Sequence, residues 1–292
     1  MTQQNSDDYD LYDLEDMAND SFEKYDKRKK ARKPRGKLCL DKLKQEGQTQ
    51  PDSPDTTLQT LQEQGFIDEV LLELKSGKEA TVYLAKGKLG LVAAKVYLDR
   101  DVRKFKDDNI YRQGRRFTNA QYKHAEYEKR RSGADINQTL WIFHEYMQLW
   151  EFYDAGLPVP KPLIGPGTDE YVRAGRVVLM EYLGDDDGPA PRLADVRLTE
   201  EEAQRAWQES LDILTKMLKL GKIHGDYSTY NLLWWDGQVY VIDFPQVVNM
   251  SDNKAAKSLL ERDVISLCKS FRSHGIDARP DAVLRDLQRV LR

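Results

Sequence analysis

A chain of 292 residues with 40% hydrophobic content carries enough apolar material for one two-lobed enzyme and a tail. Its two cysteines, Cys39 and Cys268, lie far apart, which argues against a structural disulfide and makes a reducing cytosol the default. The formal net charge of −4 is unevenly spread: the N-terminus is acidic where a secretion signal would be basic and then apolar, and no apolar run approaches membrane-spanning length, so the expected location is cytoplasmic with no membrane partner.

Taken in order, residues 7–26 are strongly acidic, Lys27 to Lys37 are almost wholly basic, and residues 48–57 are polar with two prolines. Such composition predicts a tail over 1–60 that is disordered in isolation. The basic block 27–37 is dense enough to bind RNA phosphates, or it is a solvated segment that folds back on its acidic neighbour.

Two strand-like runs follow, Val70–Leu74 and Thr81–Ala85, with Lys75-Ser-Gly-Lys-Glu-Ala80 between them as a hairpin turn. Ser76 and Gly77 could present backbone N–H groups to an anion, with Lys78 adding charge. Ser-Gly is also an ordinary turn, and neither G-x-G-x-x-G nor the Walker spacing is present. Next, Val92-Ala-Ala-Lys95 closes an apolar run, so Lys95 is either a cation for phosphates or a surface lysine leaving an edge strand. Residues 99–137, dense in Lys, Arg and Tyr, read as an insertion. From Leu140 to Ala155 the stripe Trp141, Glu145, Leu149, Phe152 has helical spacing and places a carboxylate inside an apolar face. A buried carboxylate needs a partner, and Lys95 is the candidate; the competing reading puts Glu145 at the margin of the buried face.

Thr199-Glu-Glu-Glu202 is a capping box that opens a long helix with Leu211, Leu214, Met217 and Leu218 on its apolar face and Gly221 at its end. That helix delivers the chain into His224-Gly-Asp-Tyr-Ser-Thr-Tyr-Asn231, followed by Leu232–Trp235, an Asp236-Gly237 turn, and Val239–Ile242. The arrangement is a hairpin with Asn231 and Asp243 at its open end. Asp226, Asn231 and Asp243 supply a base to orient a hydroxyl and two hard oxygens for Mg²⁺, the elements of a phosphoryl-transfer centre. Asp and Asn are common turn residues as well, and a loop stabilised by Asp226 and Asn231 is the plainer reading. Two further helices are expected, over 254–271 and from 279 or 280 to 291. His124, His144 and His274 show no metal-ligand spacing, and His224 reads as a brace for its loop.

Together, Ser76-Gly-Lys-Glu-Ala80, Lys95, Glu145, Met180-Glu-Tyr-Leu183, His224-Gly-Asp-x-Ser-x-Tyr-Asn231 and Ile242-Asp-Phe-Pro-Gln246 resemble the RIO family of atypical serine/threonine protein kinases, over about residues 65–275. The resemblance implies an α+β fold of bilobal protein-kinase type: a β-rich N-lobe over 61–183 with a flexible insertion about 99–137, and a truncated, mainly helical C-lobe over 184–292. It implies an ATP-dependent enzyme that autophosphorylates. Lys95, held by Glu145, is then the ATP lysine and Asp226 the catalytic base, with Asn231 and Asp243 as ligands for Mg²⁺, or Mn²⁺ in its place. Ser76, Gly77 and Lys78 would cover the phosphates, and backbone groups around Glu181 and Leu183 would hold the adenine.

In this family the aspartate matching Asp243 can itself accept the phosphoryl group, and relatives act in ribosome maturation, which makes a ribosomal particle a second candidate partner for 27–37. The chain departs from the pattern at Tyr227, where Leu is usual, and at Thr229, where an acidic residue is common. Its polar first sixty residues cannot supply the winged-helix module of one subgroup, although Phe244-Pro-Gln is shared with that subgroup; the better match is the subgroup lacking the module, a divergent prokaryotic branch being one candidate. Three functional classes follow: a RIO-type serine/threonine protein kinase, an ATPase switch with an aspartyl-phosphate intermediate in ribosome assembly, and a small-molecule kinase of aminoglycoside or choline type. The first is preferred. The short remainder after Asp243 has no visible peptide-gripping segment, so peptide recognition is minimal or supplied by a large partner.

Overall fold

The computed structural model describes residues 56–77, 79–88, 90–97, 119–132, 136–165, 176–185 and 187–290. The basic block 27–37, Lys78 and most of the expected insertion lie outside the described residues.

The N-terminal half is built on an antiparallel sheet of β1 (Glu69–Ser76), β2 (Ala80–Gly87), β3 (Gly90–Tyr97) and β4 (Val177–Glu181), in the order β1-β2-β3-β4. β3 is the most enclosed, with Val92, Ala93, Ala94, Val96 and Tyr97 all buried. Such a run suits a strand covered on both sides. Preceding the sheet is helix α1 (Thr56–Glu63), whose Leu58 and Leu61 are fully buried. The tail expected over 1–60 therefore overlaps an ordered element. Two leucines three apart give a short helix one apolar edge, and burying that edge outweighs the polar composition around it.

Helix α2 (Asn119–Ser132) falls within the expected insertion and packs on α3 (Ile136–Asp154). The stripe of α3 is buried as its spacing predicts: Trp141, Glu145, Leu149 and Phe152 are each at most 8% exposed. The helix also begins earlier than the expected Leu140.

After β4 come the short ribbons β5 (Gly184–Asp185) and β6 (Gly188–Pro189). Gly184 is required there, since a Cβ would lie 2.5 Å from the Gly188 carbonyl and 2.7 Å from the Tyr182 ring. Helix α4 (Glu200–Lys219) starts with both hydrogen bonds of the Thr199–Glu202 capping box in place. It buries Ala203, Ala206, Ser210, Ile213, Leu214, Met217 and Leu218, while Leu211 sits at the margin. Gly221, at φ 73°, turns the chain into β7 (Lys222–Ile223).

The predicted hairpin is β8 (Leu232–Trp235) and β9 (Gln238–Val241), with Asp236 and Gly237 at φ 48° and 71° as a tight primed turn demands. At its open end the Ile242 N–H donates to the Asn231 carbonyl at 3.0 Å. β10 (Val248–Asn249) pairs with β7. Helices α5 (Ala256–Phe271) and α6 (Pro280–Val290) complete the mainly helical C-terminal half. No helix among the described residues is long and apolar enough to cross a membrane.

Candidate active site

The cleft between the sheet and the helical half is organised by one ammonium. Lys95 Nζ donates to Glu145 Oε1 at 2.7 Å and to Asp243 Oδ1 at 2.6 Å. Side chains of Lys95 and Glu145 are 13% and 4% exposed, whereas that of Asp243 is 41% exposed and opens to the cleft. Burial disfavours the charge on Lys95, but Asp243 and Glu145 outweigh it and hold the ammonium above the ordinary lysine range. Two carboxylates share this single cation, and they respond differently. Burial pushes Glu145 up to about 7 against the pull of Lys95, while Asp243 stays below the usual carboxylate range because Lys95 overcomes its burial.

Helix α3 grips the segment after Asp243 through more than Glu145. Trp141 Nε1 donates to the Pro245 carbonyl at 3.0 Å, and His144 Nε2–H donates to the Val247 carbonyl at 2.8 Å. Phe244 stacks edge-on to Phe152 with ring centroids 5.2 Å apart. Asp243 itself adopts φ 75°, a left-handed conformation that Asp tolerates better than most residues and that aims its carboxylate away from the strand direction.

The loop 224–231 supplies the remaining chemistry. His224 is fully buried, and burial pushes its imidazole down to about 4, so it is neutral at pH 7. Its Nε2–H donates to the Ile242 carbonyl at 3.2 Å and its Nδ1 accepts the Asp226 N–H at 3.3 Å. This is the bracing role read from the sequence. Burial, reinforced by the charge of Asp243, raises Asp226 to about 6, which leaves it ionised at neutral pH and close to the range in which a general base works best.

Asn231 turns its amide toward Asp226, with Nδ2 donating to the Asp226 carbonyl at 2.8 Å and to Oδ2 at 3.1 Å. Its own Oδ1 and Oδ2 of Asp243 make no hydrogen bond or ion pair among the described residues, so two hard oxygens are available at the open end of the hairpin. That donor set fits Mg²⁺, which takes one or two protein oxygens and completes its shell with phosphates and water.

The RIO domain family matches residues 81–283. The chain belongs to the RIO family. It is 33% identical over 144 residues to the RIO-type serine/threonine-protein kinase Rio1 of Thermoplasma acidophilum, covering 49% of this chain and 70% of that protein. It is 31% identical over 249 residues to the protein of the same name from Haloferax volcanii, covering 83% and 77%. Among solved structures it resembles the Rio2 kinase–ADP/Mg²⁺–phosphoaspartate complex of Chaetomium thermophilum, with a TM-score of 0.49, 18% identity, and coverage of 80% of this chain and 72% of that one.

In this RIO chain the Ser76-Gly77 turn lies at the end of β1, where the Gly77 N–H donates to the Ala80 carbonyl at 2.9 Å and Ser76 Oγ meets Thr81 Oγ1 at 3.3 Å. The Gly77 amide thus closes the turn rather than projecting from it. At the edge of the cleft the Glu181 N–H donates to the Lys161 carbonyl at 2.8 Å, and the Leu183 carbonyl accepts from the Ala190 N–H at 2.8 Å.

Loop 224–231 rests on a support not anticipated from the sequence. Asp263 of α5 is 1% exposed, and its two oxygens accept the Gly225 N–H at 2.8 Å and the Tyr227 N–H at 3.1 Å. Burial raises it to about 6, with Arg262 opposing, so it too is ionised at neutral pH. Arg262 donates to the Gly225 carbonyl, Ser270 Oγ accepts the Thr229 N–H at 3.2 Å, and the Tyr227 hydroxyl donates to the Ser210 carbonyl at 2.8 Å. Tyr227, one of the two departures named above, thereby ties the loop to α4. A signal for Asp263 existed: it lies four residues after Leu259 and four before Leu267, inside the apolar stripe of α5.

Proposed function

We propose that this chain is an ATP-dependent serine/threonine protein kinase of RIO type that transfers the γ-phosphoryl group of ATP to a hydroxyl and autophosphorylates. The observation that carries the reading is the Lys95 ammonium bonded at once to Glu145 and Asp243, beside an ionised Asp226 oriented by Asn231. Lys95 positions the phosphates, and Asp226 accepts the hydrogen bond of the incoming hydroxyl and then its proton. The Glu181 carbonyl and Leu183 N–H would meet the adenine, with Ser76, Gly77 and Lys78 above the phosphates. Asn231 Oδ1 and Asp243 would hold Mg²⁺, or Mn²⁺, which when bound neutralises charge on the phosphoryl oxygens. Positioning and electrostatic stabilisation carry most of the acceleration, since proton transfer typically supplies only about 10²–10⁴-fold.

One observation favours a second reading, an ATPase switch. Asp243 presents to the cleft an oxygen with no partner among the described residues, where it could attack the γ-phosphorus, release ADP, and form an acyl phosphate that water later hydrolyses. Incubation with γ-labelled ATP and Mg²⁺ separates the two. Acid-stable label on serine or threonine, lost in Asp226→Ala, is the expected result. Label that hydroxylamine removes, lost in Asp243→Ala and accompanied by phosphate release, supports the switch, and absence of any labelling or phosphate release rejects both.

RNA or a ribosomal particle is proposed as the partner of 27–37, on charge density alone. Deleting 27–37 should abolish co-sedimentation with RNA or ribosomes; unchanged sedimentation rejects it.

A further inference from the structure

Lys75 stands next to the Ser76-Gly77 turn in β1, and the register of the sheet decides where it points. Glu73 pairs with Tyr83, but Lys75 pairs with Val82, because an extra residue is accommodated in β1 between them. In a regular strand Lys75 would follow Glu73 onto the face of Tyr83. The bulge moves it to the other face, the usual effect of such an insertion beside a functional site.

Val82 pairs in turn with Lys95 across β2 and β3. Directly opposed residues in antiparallel ladders project to one face, so Lys75, Val82 and Lys95 form a cross-strand row. Lys75 thus shares the cleft face with Lys95, at roughly 10 Å from it given ordinary strand spacing.

The charges around Lys75 point the same way. Lys75 is an exposed residue of β1, yet desolvation against the sheet, then Arg192 and Lys95, hold its ammonium below the ordinary lysine range, with Asp243 and Asp195 opposing. Of those four residues, Lys95 and Asp243 form the ion pair at the centre of the cleft. Lys95 already has two carboxylates, and Arg192 is bonded to Asp195 at 2.6 Å and lies over the Tyr230 ring at 5.5 Å. Lys75, by contrast, makes no hydrogen bond or ion pair among the described residues. The bulge brings Lys75 to the sheet face that carries Lys95 without giving it a carboxylate of its own among the described residues, which leaves its charge available to an anion in the cleft.

We propose that Lys75 is a second phosphate-binding cation of the nucleotide site, reaching the phosphates of ATP from β1 while Lys95 holds them from β3. This rests on the reading of the cleft as an ATP site and adds a residue to it. Lys75 would act on affinity, leaving the transfer step to Asp226 and Asp243.

The test compares the full chain with Lys75→Gln and Lys75→Arg, titrating adenosine, AMP, ADP and Mg-ATP by calorimetry, with urea unfolding to verify the fold of each variant. Lys75→Gln should weaken ADP and ATP by about five- to tenfold, the range for a partly exposed charge-assisted contact, and leave adenosine unchanged. It should also flatten the salt dependence of ATP binding, and Lys75→Arg should restore most of the affinity. Unchanged ATP affinity in a folded Lys75→Gln overturns the proposal, as does an equal loss for adenosine, which would make Lys75 a packing residue. Failure of the unaltered chain to bind ATP, with no change in Lys95→Ala, would reject the ATP site itself.

Discussion

Asp243→Ala is expected to lower metal-dependent phosphotransfer by about 10³-fold or more, measured as initial rate at saturating ATP and Mg²⁺. Two losses coincide in this variant. The oxygen proposed to hold the metal disappears from the open end of the hairpin, and Lys95 loses its 2.6 Å partner on the cleft side. Lys95 then keeps only Glu145, at 2.7 Å, and swings its balance toward the interior. The change is also visible without turnover. Asp243 is one of the charges holding Glu145 up near 7, so its removal should bring the Glu145 carboxyl down toward the ordinary range, a shift readable by NMR titration. Asp226→Ala differs in kind, since it leaves Lys95 and both of its partners in place and should abolish transfer while ATP still binds. If Asp243→Ala keeps transfer within tenfold of the unaltered chain, the assignment of Asp243 is wrong.

What the sequence disclosed and what it hid divide along physical lines. Glu145 was legible because a carboxylate inside an apolar stripe needs a cation, and Lys95 was the cation that the strand before it offered. The hairpin carrying Asn231 and Asp243 was legible because Asp236-Gly237 permits two consecutive positive φ angles between apolar runs. The capping box at Thr199 was a local four-residue signal with both hydrogen bonds formed as read.

Other features depended on pairings between distant segments. The bulge that sets Lys75 opposite Val82 is a relation between β1 and β2, and neither strand shows it alone. Likewise, Trp141 and His144 reach backbone carbonyls about a hundred residues away, contacts that carry no side-chain complementarity to notice. The start of helix α1, with Leu58, was read as tail because a leucine among threonines and glutamines looks polar in composition until the fold buries it.

Asp263→Ala should destabilise the chain by about 2–4 kcal/mol and depress turnover with it, because it orphans two buried N–H groups in one step. Gly225 and Tyr227 flank Asp226, and both donate to Asp263 from inside the helical half. With those bonds lost, α5 keeps the Arg262 contact to the Gly225 carbonyl and the Ser270 contact to the Thr229 N–H, neither of which satisfies the two N–H groups that flank Asp226.

Asp263→Asn should be nearly as costly. An amide can accept one of the two N–H bonds, but its own NH₂ then faces the other donor. Both variants are compared by urea midpoint, with Asp281→Ala as the control: Asp281 is an exposed partner of Arg285 on α6, and its loss should move the midpoint little.

The kinetic signature separates positioning from a general loss of fold. In the proposed site Lys95 and the sheet would hold the nucleotide from the other side, so ATP affinity should change by less than about threefold while kcat falls at least tenfold at temperatures where the variant remains folded. A parallel loss of ATP affinity and kcat would mean that Asp263 supports the whole cleft. An unchanged kcat in a folded Asp263→Asn would mean that the catalytic loop is held without it.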